Sequence, residues 1–249
     1  KRSLAHWRLL SSVVLGGLVA SAIMAGTVVY FDSLRDLALK RALAERSASD
    51  LDVVLQGEMR PMSGLAYQRV SALAHAEIDG RAGWMVKDLI TAAKSVTFFL
   101  AKPGEEERAR GGNTRTYFAT LPGLLDAVTL LPESRLPREH LINAAGDPPE
   151  LEALVSNATA LRFGVGVGDR MIAVPPWSAD APHVVVRISG TFRKKEPASP
   201  DFWRLAEGVL QADTGTSRRM LPFYLSERAF MQTLSPAFPK MGGAFAWLV

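Results

Sequence analysis

The stretch Leu9–Phe31, LLSSVVLGGLVASAIMAGTVVYF, runs for 23 residues without a charge. As a helix rising about 1.5 Å per residue it is about 34 Å long, enough to cross a hydrocarbon core of about 30 Å. Lys1, Arg2, His6 and Arg8 precede it, and Asp32 is the first charge beyond it, followed by the mixed pair Arg35 and Asp36. Basic flanks are retained in the cytosol, so the N-terminus is expected inside and the remainder outside. A cleaved secretory signal is the competing reading, with Ala20-Ser21-Ala22 as a small-residue cleavage site after Leu9–Val19. The apolar run continues through Ile23, Met24, Val28, Val29 and Tyr30, which a cleavage signal does not require. Both readings put the rest of the chain outside the cytosol.

That remainder, about 220 residues, is long enough to bury a real core. The net charge is +4, but Lys1, Arg2 and Arg8 supply three of those charges, leaving +1 for the rest. The basic balance is therefore a topology signal, and no nucleic-acid footprint is expected. The absence of cysteine excludes a disulfide framework and thiolate chemistry. The chain starts with Lys, which reads as a piece of a longer protein.

Within the span, small residues recur at four-residue spacing: Gly16 with Ala20, Gly17 with Ser21, and Ala22 with Gly26. Such spacing lets a second helix approach closely in lipid, and it is also common in membrane helices generally. Beyond Phe31, Leu34, Leu37, Ala38 and Ala42 repeat at three and four, which predicts a helical stalk over 32–48. The expected organisation is a cytosolic N-terminus at 1–8, a transmembrane helix at 9–31, the stalk, and an extracytoplasmic domain at 49–249.

In that domain, strands are expected at Leu51–Leu55 (closed by Gln56-Gly57), Ser95–Leu100, Arg115–Thr120, Ala127–Leu131, Leu151–Val155, Met171–Val174, Val184–Ile188 and Leu221–Leu225. Ala244–Val249 is a closing apolar run. Helices are expected at about 64–76, at 157–163 between Ser156 as N-cap and Gly164 as stop, and at 227–234 after Ser226. Lys102–Asn113, with Glu105-Glu106-Glu107, Arg108 and Arg110, reads as a solvated hairpin tip. Interspersed helices and strands with long loops favour an α+β fold, expected in two lobes.

No catalytic, cofactor-binding or metal site is expected. Gly164-Val165-Gly166-Val167-Gly168-Asp169 lacks the G-x-G-x-x-G spacing and precedes a strand, so it reads as a helix stop and turn. No phosphate-binding loop and no G-x-S-x-G elbow occur, and His6, His75, His140 and His183 have no ligand spacing. Asn157-Ala158-Thr159 fits a glycosylation sequon inside an expected helix. Phe192, Phe202 and Trp203 read as packing residues, or as an exposed pair lining a groove.

Several stretches together resemble a known family. A basic N-terminus, membrane helix and stalk lead to Asp50-Leu51-Asp52-Val53-Val54. Leu154-Val155-Ser156-Asn157-Ala158-Thr159-Ala160-Leu161-Arg162-Phe163 then precedes the glycine cluster through Asp169. Val186–Arg193 and Pro197–Trp203 follow. This order resembles the membrane (permease) subunit of FtsX/MacB-like ABC transporters, in its first helix and large outer domain. The resemblance implies four membrane helices with the outer domain between the first two, a separate cytosolic ATP-hydrolysing subunit, and a second permease copy. It implies that ATP hydrolysis is coupled to motion of the outer domain, for export or extraction of a lipophilic or peptide substrate at the cell membrane. No cofactor is implied for this chain. Here no later membrane helix follows before Val249, which reads as truncation. The alternative is a single-pass sensor whose outer domain binds a ligand; the sequence after Val249 separates the two.

Overall fold

The computed structural model describes residues 7–44, 53–84, 86, 89–139, 149–177, 182–196, 202–203, 206 and 219–248. The expected cytosolic residues 1–6, the stalk end at 45–48, the first-strand residues Leu51 and Asp52, His6, His140 and Val249 lie outside these. The chain divides into two units, 1–52 and 53–249.

In the first unit, α1 (Trp7–Ala44) is one helix of 38 residues, about 57 Å long at about 1.5 Å per residue. The uncharged run and the start of the expected stalk thus share one uninterrupted hydrogen-bonded ladder. Its segment Ser11–Ala42 is long and apolar enough, by length and composition, to cross a membrane. Two of its hydroxyls turn back onto the helix: Thr27 Oγ1 donates to the Ile23 carbonyl (2.7 Å) and Ser33 Oγ to that of Val29 (2.8 Å).

The second unit is α+β and is built on one curled sheet of twelve strands. In chain order these are β1 (Val54–Met59), β2 (Ile90–Ser95), β3 (Phe98–Ala101), β4 (Thr114–Thr116), β5 (Phe118–Thr120), β6 (Val128–Leu130), β7 (Glu150–Ser156), β8 (Arg170–Val174), β9 (Val184–Lys194), β10 (Arg219–Met220), β11 (Phe223–Tyr224) and β12 (Gly243–Leu248). The path through the sheet is β1-β12-β2-β5-β11-β7-β9-β8-β3-β4-β10, and β6 pairs with β9 off that path. The helices are α2 (Gly64–Ala82), α3 (Glu106–Ala109), α4 (Leu124–Ala127), α5 (Asn157–Phe163), a π-helix (Ala229–Leu234) and α6 (Ser235–Ala237). The described residues of 53–249 form one compact unit around this continuous sheet, which does not bear out the two lobes expected.

Alternation along the strands sends apolar residues to both faces, as a sheet covered on two sides requires. Leu151, Ala153 and Val155 of β7 and Phe245 and Trp247 of β12 join one core with Tyr67 and Ile78 of α2 and Phe230 of the π-helix. Their neighbours Leu154 and Ala246 join the other core with Ala92, Leu124, Phe192 and Trp203. Phe192 and Trp203 are therefore packing residues, and half-buried Phe202 meets Trp203 edge-on at 5.3 Å.

Several boundaries differ from expectation for definable reasons. β1 runs through Gly57, because all six of its residues pair with β12. Ser95–Leu100 is two strands: Val96 donates to the Gly242 carbonyl at the break (3.1 Å), and the halves join different neighbours. Arg115–Thr120 breaks likewise at Tyr117. Only Phe223-Tyr224 of Leu221–Leu225 is strand, although the Leu221 and Leu225 amides continue the contact to Arg115 and Ala119. β9 continues well past Ile188 to Lys194, and α2 past 76 to Ala82. The expected hairpin tip after Lys102 contains the helical turn α3.

The glycine cluster is a stop and turn. Gly164 closes α5 at φ 64°, Gly168 has φ 93°, and the Gly166 amide donates to Asp169 Oδ2 (2.8 Å). Left-handed φ at two places within five residues is the reason glycine stands there.

Candidate functional site

The residues singled out in the sequence all lie on α1. Gly16, Gly17, Ala20 and Ser21 fall within an arc of about 140° at about 100° per residue, whereas Gly26 lies outside that arc. All five are exposed, and a Cβ added at Gly16, Gly17 or Gly26 would meet nothing within 4 Å. Leu34, Leu37 and Ala38 are exposed on the same helix, Leu37 at 64%. These residues are available to a partner helix; they enclose no site.

A concavity that combines apolar and charged groups lies in the second unit, where β5 and β11 end. These strands run parallel, with Phe118 opposite Phe223 and Ala119 opposite Tyr224. Both chains leave the sheet on the same side. β5 passes through Leu121-Pro122-Gly123 into α4, and β11 passes through Leu225 to the helical segment capped by Ser226, whose Oγ accepts from the Ala229 amide (3.1 Å). The gap beyond the carboxyl ends of adjacent parallel strands is where such sheets form crevices.

Two adjoining clefts occupy this gap and share Glu139, Ser226 and Glu227. One, of about 460 Å³, has Leu154 and Tyr224 toward the sheet and Leu121, Leu124, Leu125 and Leu136 around them. The other, of about 650 Å³, lies between the start of α2 and the π-helix and contains Tyr67, Gln68, Arg228, Met231 and Gln232. Both volumes are in the range of small-molecule sites.

The polar groups at the junction are ordered by one another. Arg228 Nη1 lies 2.9 Å from Glu139 Oε2, and its Nε donates to Gln232 Oε1 (3.2 Å). The Tyr67 hydroxyl lies near Glu227 and Ser71, and its pKa is pushed up to about 12 by burial and by the Glu227 charge. It is therefore uncharged at any ordinary pH. Gly64 brings the start of α2 close to the π-helix: a Cβ there would sit 3.3 Å from the Met231 carbonyl oxygen.

One wall is the loop 131–139, held to the sheet by a buried carboxylate. The Glu152 side chain is fully buried on β7, and Arg135 grips both of its oxygens, Nη1 at 2.5 Å from Oε2 and Nη2 on Oε1. The Arg138 amide donates to Oε2 as well (3.0 Å). Burial alone would raise the Glu152 pKa, but the hydrogen bonds and positive charge outweigh it and hold the carboxyl below the ordinary range. Ser134 adds a reciprocal pair, its Oγ donating to the Thr191 carbonyl (3.1 Å) and accepting from the Thr191 amide (2.9 Å). A Cβ on Gly190 would lie 2.8 Å from Ser134 Cβ, so only glycine lets the loop come this close.

No family model, curated protein or solved structure matches this chain. The site is therefore read from its own geometry.

Sequence reasoning did not single out Tyr67, Arg135, Glu139, Glu152, Glu227 or Arg228. Glu152 alone left a signal, a single carboxylate inside the apolar run Leu151–Val155. The others are ordinary polar residues until the topology gathers them.

Proposed function

We propose that this chain is the first membrane helix and extracytoplasmic domain of a permease subunit of the FtsX/MacB-like type. It lies in the cell membrane with its N-terminus cytosolic and transmits the cycle of a cytosolic ATP-hydrolysing partner to the outer domain. The work proposed is export or extraction of a lipophilic or peptide substrate, by a complex with a second permease copy.

The observation that carries this reading is the pairing of β1 with β12. Val54 lies opposite Leu248 in an antiparallel ladder, so the start of β1 and the end of β12 lie side by side, about 5 Å apart. A domain inserted between two consecutive membrane helices needs such a doorway. The unbroken α1 supports the coupling: a helix about 57 Å long exceeds the roughly 30 Å bilayer core and extends its ladder beyond it. The back-bonded Thr27 hydroxyl is satisfied without water, as a lipid environment requires.

The test is purification of the full-length protein from membranes through an affinity tag, followed by Leu37→Pro. A copurifying ATP-hydrolysing subunit is expected. Proline at 37 removes a ladder hydrogen bond at a cost of about 3 kcal/mol and kinks the helix, so hydrolysis should continue while transport is lost. Absence of any ATP-hydrolysing partner, with a signalling module after Val249, would replace this reading by the sensor. Unchanged transport in the proline variant would sink the coupling through α1.

A further inference from the structure

We infer that the paired clefts at the ends of β5 and β11 are a binding site for a small amphiphilic cation, an ammonium head on an apolar body. The inference names a substrate class for the permease proposed above, and it rests on that reading only for the ligand's fate; binding itself stands apart.

The two clefts differ in character and are contiguous. On one side Leu121, Leu124, Leu125 and Leu136 face a floor of Leu154 and Tyr224. Leu125 and Leu136 stay about half exposed, 48% and 51%, so part of this apolar surface is left to water. Covering it would stabilise a complex by roughly 25 cal/mol per Å² of apolar area. Together the two described linings carry Asp126, Glu139 and Glu227 against one guanidinium, Arg228.

The charges do not balance evenly. Arg228 is engaged by Glu139 through Nη1 and by Gln232 through Nε, so its charge is already paired with one carboxylate. Lys195 Nζ sits 2.6 Å from the Asp126 carbonyl oxygen and offsets the charge there. Glu227 lines the same cleft as the Tyr67 hydroxyl, which burial keeps uncharged. A carboxylate at an exposed position of the lining offers its lone pairs to a ligand's N–H groups. An anionic amphiphile would meet net like charge at this junction, and a neutral one would forgo the charge-assisted bond, which is stronger than a neutral one.

The site is also prepared in advance. Glu152 and Ser134 tie the wall that carries Leu136 and Glu139 to the sheet, and Ser226 caps the segment that carries Glu227 and Arg228. Less ordering is then left to be done on binding. The π-helix adjoining this junction is a rare form that occurs often at functional sites.

The probe is an eight-carbon alkylamine bearing a diazirine, photolysed with the full-length protein in nanodiscs and mapped by mass spectrometry. The carboxylic acid of equal length is the control. Labelling by the amine is expected in 121–126, 136–139 and 224–232, with the acid labelling these segments at least about tenfold less. Glu227→Gln, at an exposed position, should lower the amine's affinity about tenfold, the value of one charge-assisted hydrogen bond. Leu125→Glu, on the apolar side and also exposed, should redirect labelling away from 121–126. Equal labelling by amine and acid, indifference to Glu227→Gln, or labelling confined to α1 would each overturn the inference. Binding without any copurifying ATP-hydrolysing subunit would keep the site and sink the transporter reading; the reverse outcome would sink the site alone.

Discussion

Glu152 and Arg135 form the contact whose removal is easiest to read. The carboxylate is fully buried, whereas the Arg135 side chain is 45% exposed, so the partners are not equivalent. Arg135→Ala leaves a buried charge with only the Arg138 amide, and a loss of about 3 kcal/mol is expected. Arg135→Ala combined with Glu152→Leu should recover most of it, because an apolar pair has no charge to desolvate. Urea denaturation of the wild type, both single variants and the double variant measures this; a double variant no better than Arg135→Ala would refute the account. The same pair sets a pH dependence. Because the folded pKa of Glu152 is depressed, its contribution is complete above the unfolded carboxylate value of about 4.3 and fades as pH falls through the lower folded value. The urea midpoint should therefore fall on acidification below about pH 5, with a shallower fall in Glu152→Gln.

At the scale of elements, the sequence was most legible where local chemistry acts alone. Ser156 caps α5, with its Oγ accepting from the Thr159 amide, and Gly164 ends it, because hydroxyl and left-handed glycine need only their immediate neighbours. Ser156→Ala is expected to cost about 1 kcal/mol, seen as a lowered thermal midpoint. The breaks at Val96 and Tyr117 were not legible, since both strands change neighbours there and apolar spacing carries no record of who pairs with whom. The π-helix was hidden for a similar reason: Glu227–Leu234 reads as an ordinary helical stretch. The candidate site fared worst, as Tyr67, Glu139 and Glu227 lie far apart in sequence and meet only through the order of strands.

For the whole molecule, the uncharged run was enough to foresee α1, because length and absence of charge act without tertiary context. The single twelve-stranded sheet was not foreseeable from the same data, which pointed to two lobes. Its β1 edge depends on joining β1 to β12, strands nearly two hundred residues apart. That pairing can be tested directly because residues 1–249 contain no cysteine. Glu58 lies opposite Ala244, so Glu58→Cys with Ala244→Cys in the full-length protein should cross-link under mild oxidation. Glu58→Cys with Cys at exposed Leu161 should not. Cross-linking only in the second pair would refute the ladder.

The ladder also has a mechanical meaning. A tether pulling on Val54 and another on Leu248 act at the same end of two antiparallel strands, so tension concentrates on one residue pair at a time. The sheet would open like a zipper from that end, Val54/Leu248 first and Met59/Gly243 last, instead of resisting in shear with all six pairs loaded together. In such a domain, force applied through both tethers would spend itself on the seam between β1 and β12 before it reached the cleft.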